Sequence, residues 1–343
     1  MRLALFTDNH WCQYSSIVRG RGTRYSTRLE NQIASLKWVE ETAKLYYCDR
    51  IICLGDFFDK ASLNAEELSA LNEVYRNISI PHAFIVGNHE AMDSNLIYSS
   101  VGVMGCANLA TVISTPLKTV LDGTEVCYLP YQLECDRKPI GDIFGDCNGR
   151  RRIILSHNDI AGVQYGNVVS KFGYDVNEIE KSCDLFINGH IHNGEKIGEK
   201  IINLGNLTGQ NFSEDALHYT HRMMIIDTSS LDYKFVDNPY ALNFYKLEFG
   251  KSMPNIKPNA VVSLKVKEED LDNAKEWLSN ANIIASRIVV DIGKTAVSTA
   301  TDSGSVEGIN HLLKFREFVH ANIGCSSIID EELELVGAID NEH

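Results

Sequence analysis

No apolar run in this chain is long enough to cross a membrane. The longest, such as "RIIL" and "MMII", are strand-length, far below the roughly 20 residues a spanning helix needs. The opening "MRLALFTD" is too short a greasy stretch for a secretion signal, and Asp8 interrupts it. The expected compartment is therefore the cytoplasm, with no membrane partner. Paired cysteines are missing too. The 9 cysteines are an odd number, and none form a CxxC pair. Cys53 and Cys127 lie inside apolar runs, so the thiols read as reduced core residues. Positive charge is scarce: 32 Lys and Arg stand against 46 Asp and Glu, a net charge of −14. Taken alone, that balance argues against a nucleic-acid partner. A phosphate loop is absent, because the "GKS" in "EFGKSMPNIKPNA" has no glycine five residues earlier. Internal repeats are absent as well.

What is present is local. The segment "VRGRGTRYSTR" holds Arg19, Arg21, Arg24 and Arg28 with no acid, whereas the tail "DEELELVGAIDNEH" carries no Lys or Arg. Strand-like runs recur: "LALFTD", "RIICLGD", "HAFIVGN", "EVCYLPY", "RIILSH", "DLFINGH", "KIINLGN" and "MMIIDT". Leu29, Ile33, Leu36, Val39 and Ala43 repeat at helical spacing behind a capping box expected at Thr27 and Glu30. "NAEELSALNEVYRNI" reads as a second helix. Early β-α-β alternation then gives way to consecutive strands. The fold class is α/β: a two-sheet β-sandwich flanked by helices, expected over residues 1–247. A polar linker leads to a small β-α-β module at 258–295, then a loose connector, and residues 309–343 close the chain with a helix and the acidic tail.

The chemistry collects where the apolar runs end. "LALFTDNH" ends in Asp8 and His10, "IICLGDFFD" in Asp56 and Asp59, "AFIVGNHE" in Asn88 and His89, "IILSH" in His157, and "LFINGHIH" in His190 and His192. In α/β sheets the carboxyl edge is where loops build active sites. In extended chain, residues i and i+2 share a face, so Asp8 and His10 should converge, as should His190 and His192. Glycines precede Asp56, Asn88 and His190, where backbone must pack closely. A lone histidine is more often a satisfied core or surface residue than a ligand. Five such strand ends in series are not explained that way. Mixed Asp, Asn and His donors suit manganese, iron or zinc rather than a cysteine-rich structural site.

The series D-x-H, G-D-x-x-D, G-N-H-E, a solitary H and G-H-x-H resembles that of the calcineurin-like metallophosphoesterases, over about residues 1–230. The resemblance implies a dinuclear centre of two divalent ions, manganese first, with magnesium, iron or zinc as alternatives. One ion would lie among Asp8, His10, Asp56 and His192, the other among Asp56, Asn88, His157 and His190, with Asp56 shared. His89 would be the proton donor, and Asp59 would orient it.

Within that family the protein phosphatases read G-D-x-x-D-R-G, but Lys60, Ala61 and Ser62 follow "GDFFD" here. The segment instead resembles the SbcD-type recombination nucleases, in the compact form carried by large tailed phages. That resemblance implies a DNA exonuclease and endonuclease subunit of a repair and recombination complex, acting in the cytoplasm of a bacterial host. It implies a homodimer, for which Leu68, Leu71, Val74 and Ile97 are the candidate contacts. It also implies an SMC-like ATPase partner, met by the closing helix through Leu312, Phe315, Phe318 and Val319. Arg19, Arg21, Arg24 and Arg28 are the candidate contacts to the DNA backbone. The alternatives on the same fold are a small-substrate phosphodiesterase, a protein phosphatase, or a non-catalytic scaffold for the ATPase.

Overall fold

A computed structural model describes residues 1–291, apart from 16, 77, 93–95, 97, 107–109, 166, 167, 215 and 253. Ile97 and the closing helix with Leu312, Phe315, Phe318 and Val319 lie outside the described residues.

Two six-stranded sheets face each other. The first takes β1 (Arg2–Phe6), β2 (Arg50–Cys53), β3 (His82–Ile85) and β4 (Ala110–Ile113) side by side and parallel. Further strands extend the second sheet: β5 (Leu117–Leu121), β6 (Thr124–Leu129) and β7 (Arg152–Ser156). A short hairpin of β8 (Gln164–Tyr165) and β9 (Val168–Val169) follows. Then β10 (Leu185–Asn188), β11 (Glu195–Ile197) and β12 (Ile201–Asn203) complete the second sheet, in the order β11-β12-β10-β7-β6-β5. The chain returns to the first sheet through β13 (Arg222–Asp227), antiparallel to β1, and β14 (Tyr233–Asp237). All eight runs singled out in the sequence are strands. The unforeseen strands of the two large sheets, β4, β5, β11 and β14, are their edge strands, and nearly all of their residues are exposed or only partly buried.

Alternation explains the layering. Leu3, Leu5, Ile52, Leu54, Ala83 and Ile85 point between the sheets, onto Val126, Tyr128, Ile153, Leu155, Leu185 and Ile187. Their neighbours Ala4, Phe6, Ile51, Cys53 and Phe84 point outward, under helices α1 (Thr27–Leu45) and α2 (Ala65–Tyr75). On the far side Cys127, Leu129, Ile154 and Phe186 lie under α3 (Ile140–Phe144) and α4 (Val176–Ser182). Central strands buried on both faces read as continuous apolar runs.

Three local expectations are corrected. Helix α1 is capped by Ser26, whose side chain accepts from the Leu29 amide, not by Thr27. Glu30 turns away to accept from the amides of Arg24 and Tyr25. On α2, Leu71 and Val74 are buried in the core beside Phe84, so neither can be a dimer contact; only Leu68 is exposed. The boundary at 247 also fails. Strand β15 (Asn243–Glu248) pairs in parallel with β16 (Ala260–Lys267), which pairs with β17 (Ile283–Asp291). Helix α5 (Leu271–Asn280) packs on one face through Ala274, Trp277 and Leu278. The other face, with Phe244 and Val261, packs on Val18 and Phe212 from the two loops beside the sandwich rim. The module therefore begins with β15 and belongs to the same compact unit, Met1–Gly293.

Candidate metal centre

At the carboxyl edge of both sheets, five loops bring their side chains to one place. Asp8, His10 and His192 can offer ligand atoms within 4.8 Å of one another, as can Asp56, His157 and His190. The first sheet supplies Asp8, His10 and Asp56, and the second supplies His157, His190 and His192. Asp56 lies between the groups: its Oδ2 is 3.1 Å from His157 Nε2 and 3.9 Å from His10 Nε2. His10 Nε2 and His192 Nε2 are 3.1 Å apart.

The convergence does not come from extended chain. Asp8, His10, Asp56 and His190 all lie in the left-handed region, at φ 50°, 44°, 47° and 73°. Each strand ends before its ligands, and a tight reversal swings the side chains inward. Residues other than glycine rarely adopt this conformation, and such strain concentrates at functional sites. The preceding glycines serve close packing. A Cβ on Gly55 would lie 2.3 Å from His157 Nδ1, and one on Gly87 would lie 2.1 Å from Asp56 Oδ1.

Two buried polar atoms in this centre, Asp8 Oδ1 and Asn88 Oδ1, have no hydrogen-bond partner, and His157 Nε2 faces only the Asp56 carboxylate. Orphaned buried acceptors are costly, and both belong to residues of the expected ligand set. The imidazoles are oriented from behind. His157 Nδ1 meets the Leu54 carbonyl at 2.8 Å, His10 Nδ1 meets Asp59 Oδ1 at 3.2 Å, and His192 Nδ1 meets Glu214 Oε1 at 3.0 Å. Donation from Nδ1 leaves Nε2 to bind a metal. The donor set fits two divalent ions.

Electrostatics agree. Burial alone would raise the Asp8 carboxyl, but the charge of His157 and contacts with His10 and His192 bring it down to about 2. Burial would lower His157, yet the charges of Asp56 and Asp8 lift it to about 9. Glu90 behaves oppositely. Burial, then repulsion from Asp56, pushes it up to about 8, while the Gly87 and Phe58 amides donate to it.

His89 stands outside these two groups but offers a ligand atom within 4.8 Å of those of His10 and Asp59, a third group; it is exposed, its ring edge-on to His10 with centroids 4.7 Å apart. Its amide donates to Asp56 Oδ1. Asp59 is not the side chain that orients it. The Asp59 carboxylate holds His10, and only the Asp59 carbonyl, 3.1 Å away, meets His89 Nδ1. Burial would raise Asp59, but the hydrogen bond and charge of His10, then His89 and Arg28, pull it below the usual range. A cleft of about 240 Å³ opens beside His89, lined by His10, Cys12, Tyr14, Asp59, His192, Gln210 and Asn211.

The four arginines do not form one surface. Arg28 is completely buried on α1, so it cannot touch a DNA backbone. Arg21 is paired with Glu66 and Arg24 with Glu73, both on α2. Arg19 is exposed. Glu214 and Asp159, which lies 3.2 Å from His190 Nε2, were not foreseen. Asp159 had a readable signal, since it stands two residues after His157; Glu214 had none, since it is 22 positions from its histidine.

A two-sheet sandwich whose facing edges hold two Asp/His groups and an adjacent exposed histidine defines a metal-dependent phosphoesterase, a hydrolase. Residues 1–194 match the calcineurin-like phosphoesterase family, and the chain belongs to that family. No curated protein matches it. Among solved structures it is similar to an archaeal phosphodiesterase, at 13% identity and a TM-score of 0.37, covering 69% of this chain and 99% of that one. It is also similar to a dimetal phosphatase from Danio rerio, at 12% identity and a TM-score of 0.38, covering 69% and 98%. No helix among the described residues is long and apolar enough to cross a membrane.

Proposed function

We propose that this protein is a manganese-dependent phosphodiesterase acting on DNA, a nuclease subunit of the recombination type. One observation carries the diester reading: among the described residues no Lys or Arg lines the catalytic cleft. A phosphomonoester dianion calls for a cation beside the metals. Lys60, in the position that holds arginine in the protein phosphatases, instead lies 3.3 Å from the buried Glu67. A diester bears a single charge and needs less. When bound, two divalent ions would supply charge for the phosphoryl oxygens and lower the pKa of water towards 7. Asp8, His10, Asp56 and His192 would hold one, and Asp56, Asn88, His157 and His190 the other. His89, exposed at the cleft and fixed through its amide and Nδ1, is placed to give a proton to the leaving oxygen.

The DNA assignment rests on the likeness of "GDFFDKASLNAEELSALNEVYRNI" to the recombination nucleases, and on Arg19 as a remaining exposed cation of the arginine loop. An SMC-like ATPase partner and a homodimer belong to the same proposal. The test is hydrolysis by manganese-loaded protein of end-labelled duplex and single-stranded DNA, a chromogenic diester and a chromogenic monoester. Shortened DNA with diester turnover well above monoester turnover is expected. Turnover of the monoester alone would return the protein to the phosphatases.

A further inference from the structure

Arg28 is the least conventional residue in the molecule. It is fully buried at the start of α1, yet among the described residues it forms no ion pair. Its Nη1 donates to the Gly209 carbonyl at 3.0 Å, its Nη2 to the Gln210 side-chain oxygen, and its Nε to Cys12 Sγ at 3.3 Å. All three acceptors are neutral. A guanidinium cannot shed its proton, so the charge stays. Buried charges are normally paired or avoided. Two of its acceptors, Cys12 and Gln210, are wall residues of the cleft. Arg28 therefore stands one layer behind a wall that itself bears no cation.

The same wall is tied to the centre. Gln210 Nε2 donates to the Asn9 carbonyl, between Asp8 and His10. The Gln210 amide donates to Glu214, which also meets His192 Nδ1. One turn along α1, Gln32 donates to the carbonyls of Asn9 and His10.

We propose that Arg28 is a substrate-attracting residue of the cleft: a fixed, buried positive charge that draws the phosphate of the substrate through the wall of Cys12 and Gln210. It acts by its field, not by contact. In a medium of low dielectric such a field is weakly screened. Lying behind the wall, the guanidinium cannot fork onto two phosphate oxygens, so it draws a phosphate anion by charge alone and supplies the attraction that the wall itself lacks. The inference deepens the diester reading and rests on it.

The test compares Arg28→Met, which keeps length and loses charge, with Arg28→Lys, which keeps charge. Readouts are KM and kcat on a chromogenic diester, manganese content, and the dissociation constant of inorganic phosphate for the manganese-loaded protein by calorimetry. In Arg28→Met, KM and the phosphate dissociation constant should each rise about tenfold, with kcat within about threefold and metal content unchanged. Arg28→Lys should recover most of the loss. Equal damage from both variants, or unchanged phosphate binding in Arg28→Met, overturns the inference and leaves Arg28 a packing residue. If Arg28→Met does not fold, Arg28→Gln decides, because it keeps a polar side chain in the same place and removes the charge. A phosphate affinity as high as wild type in Arg28→Gln overturns the inference, and a tenfold loss supports it. A wild type that hydrolyses no diester sinks the functional reading, while the phosphate measurement still tests Arg28.

Discussion

His89 and Glu214 show how differently two residues can serve one centre. His89 lies outside the two groups that would hold the ions, is grouped instead with His10 and Asp59, and reaches the open cleft. His89→Asn should leave both metals bound, measured by elemental analysis, and lower kcat by roughly 10²–10⁴-fold. Metal loss in step with activity would make His89 a ligand. Glu214 is buried and fixes the His192 ring from behind. Glu214→Gln should weaken metal binding by about 10–100-fold, seen as a higher manganese requirement with kcat little changed at saturation. His89 was legible because it sits in "GNHE", directly after an apolar run. Glu214 was not legible, since folding alone brings it to His192. Arg28 was misread for a related reason. Its neighbours Arg21 and Arg24 are loop residues, and nothing in the one-dimensional pattern marks the point where the loop becomes the buried first turn of α1.

Elements were legible where burial is two-sided. The central strands announce themselves by runs such as "RIIL", because both faces must be apolar. Strands towards the edges, such as β5 and β14, carry Lys118 and Lys234 and leave no such mark. The starts of α1 and α2 were readable to within a residue. Asn64 and Glu67 form a reciprocal capping box on α2, and Glu67 is wholly buried while also accepting from the Gln13 amide. Asn64→Ala should cost about 1 kcal/mol, read from urea unfolding. A change below the error of the fit would mean that Glu67, held by Gln13 and Lys60, starts the helix alone. The left-handed turns behind Asp8, His10, Asp56 and His190 were not legible. Asp8 and His10 converge, though through left-handed rather than extended backbone, and His190 and His192, expected on one side, part to different groups.

For the whole molecule, metal and proton should both move stability. A ligand that binds only the folded chain stabilises it by about 2.7 kcal/mol at a hundred times its Kd. Chelation should therefore lower the melting midpoint by several degrees, and added manganese should restore it; an unchanged midpoint would argue against a centre formed only on folding. Away from the metals, burial holds His82 and His221 below their ordinary value of 6.5. The folded state then binds fewer protons than the unfolded one at and below that pH. The stability these residues contribute is fully present above pH 6.5 and is lost as pH falls towards their folded values. His157, raised to about 9, acts in the opposite direction in the chelated protein, so the contribution of His82 is read by difference: between pH 7.5 and 5.5 the melting midpoint of chelated His82→Gln should move upward relative to that of chelated wild type as pH falls.

The division of the centre between two sheets has a mechanical consequence. Asp8, His10 and Asp56 ride on one sheet, and His157, His190 and His192 on the other. The two are registered against each other by a dry layer of aliphatic side chains, among them Leu3, Ile52, Leu155 and Ile187. The ions then work like rivets through two overlapping plates. A slip of an ångström between the plates would pull the rivet holes out of line long before either plate tore. Warming this protein should therefore release its metal, and silence it, while both sheets are still whole.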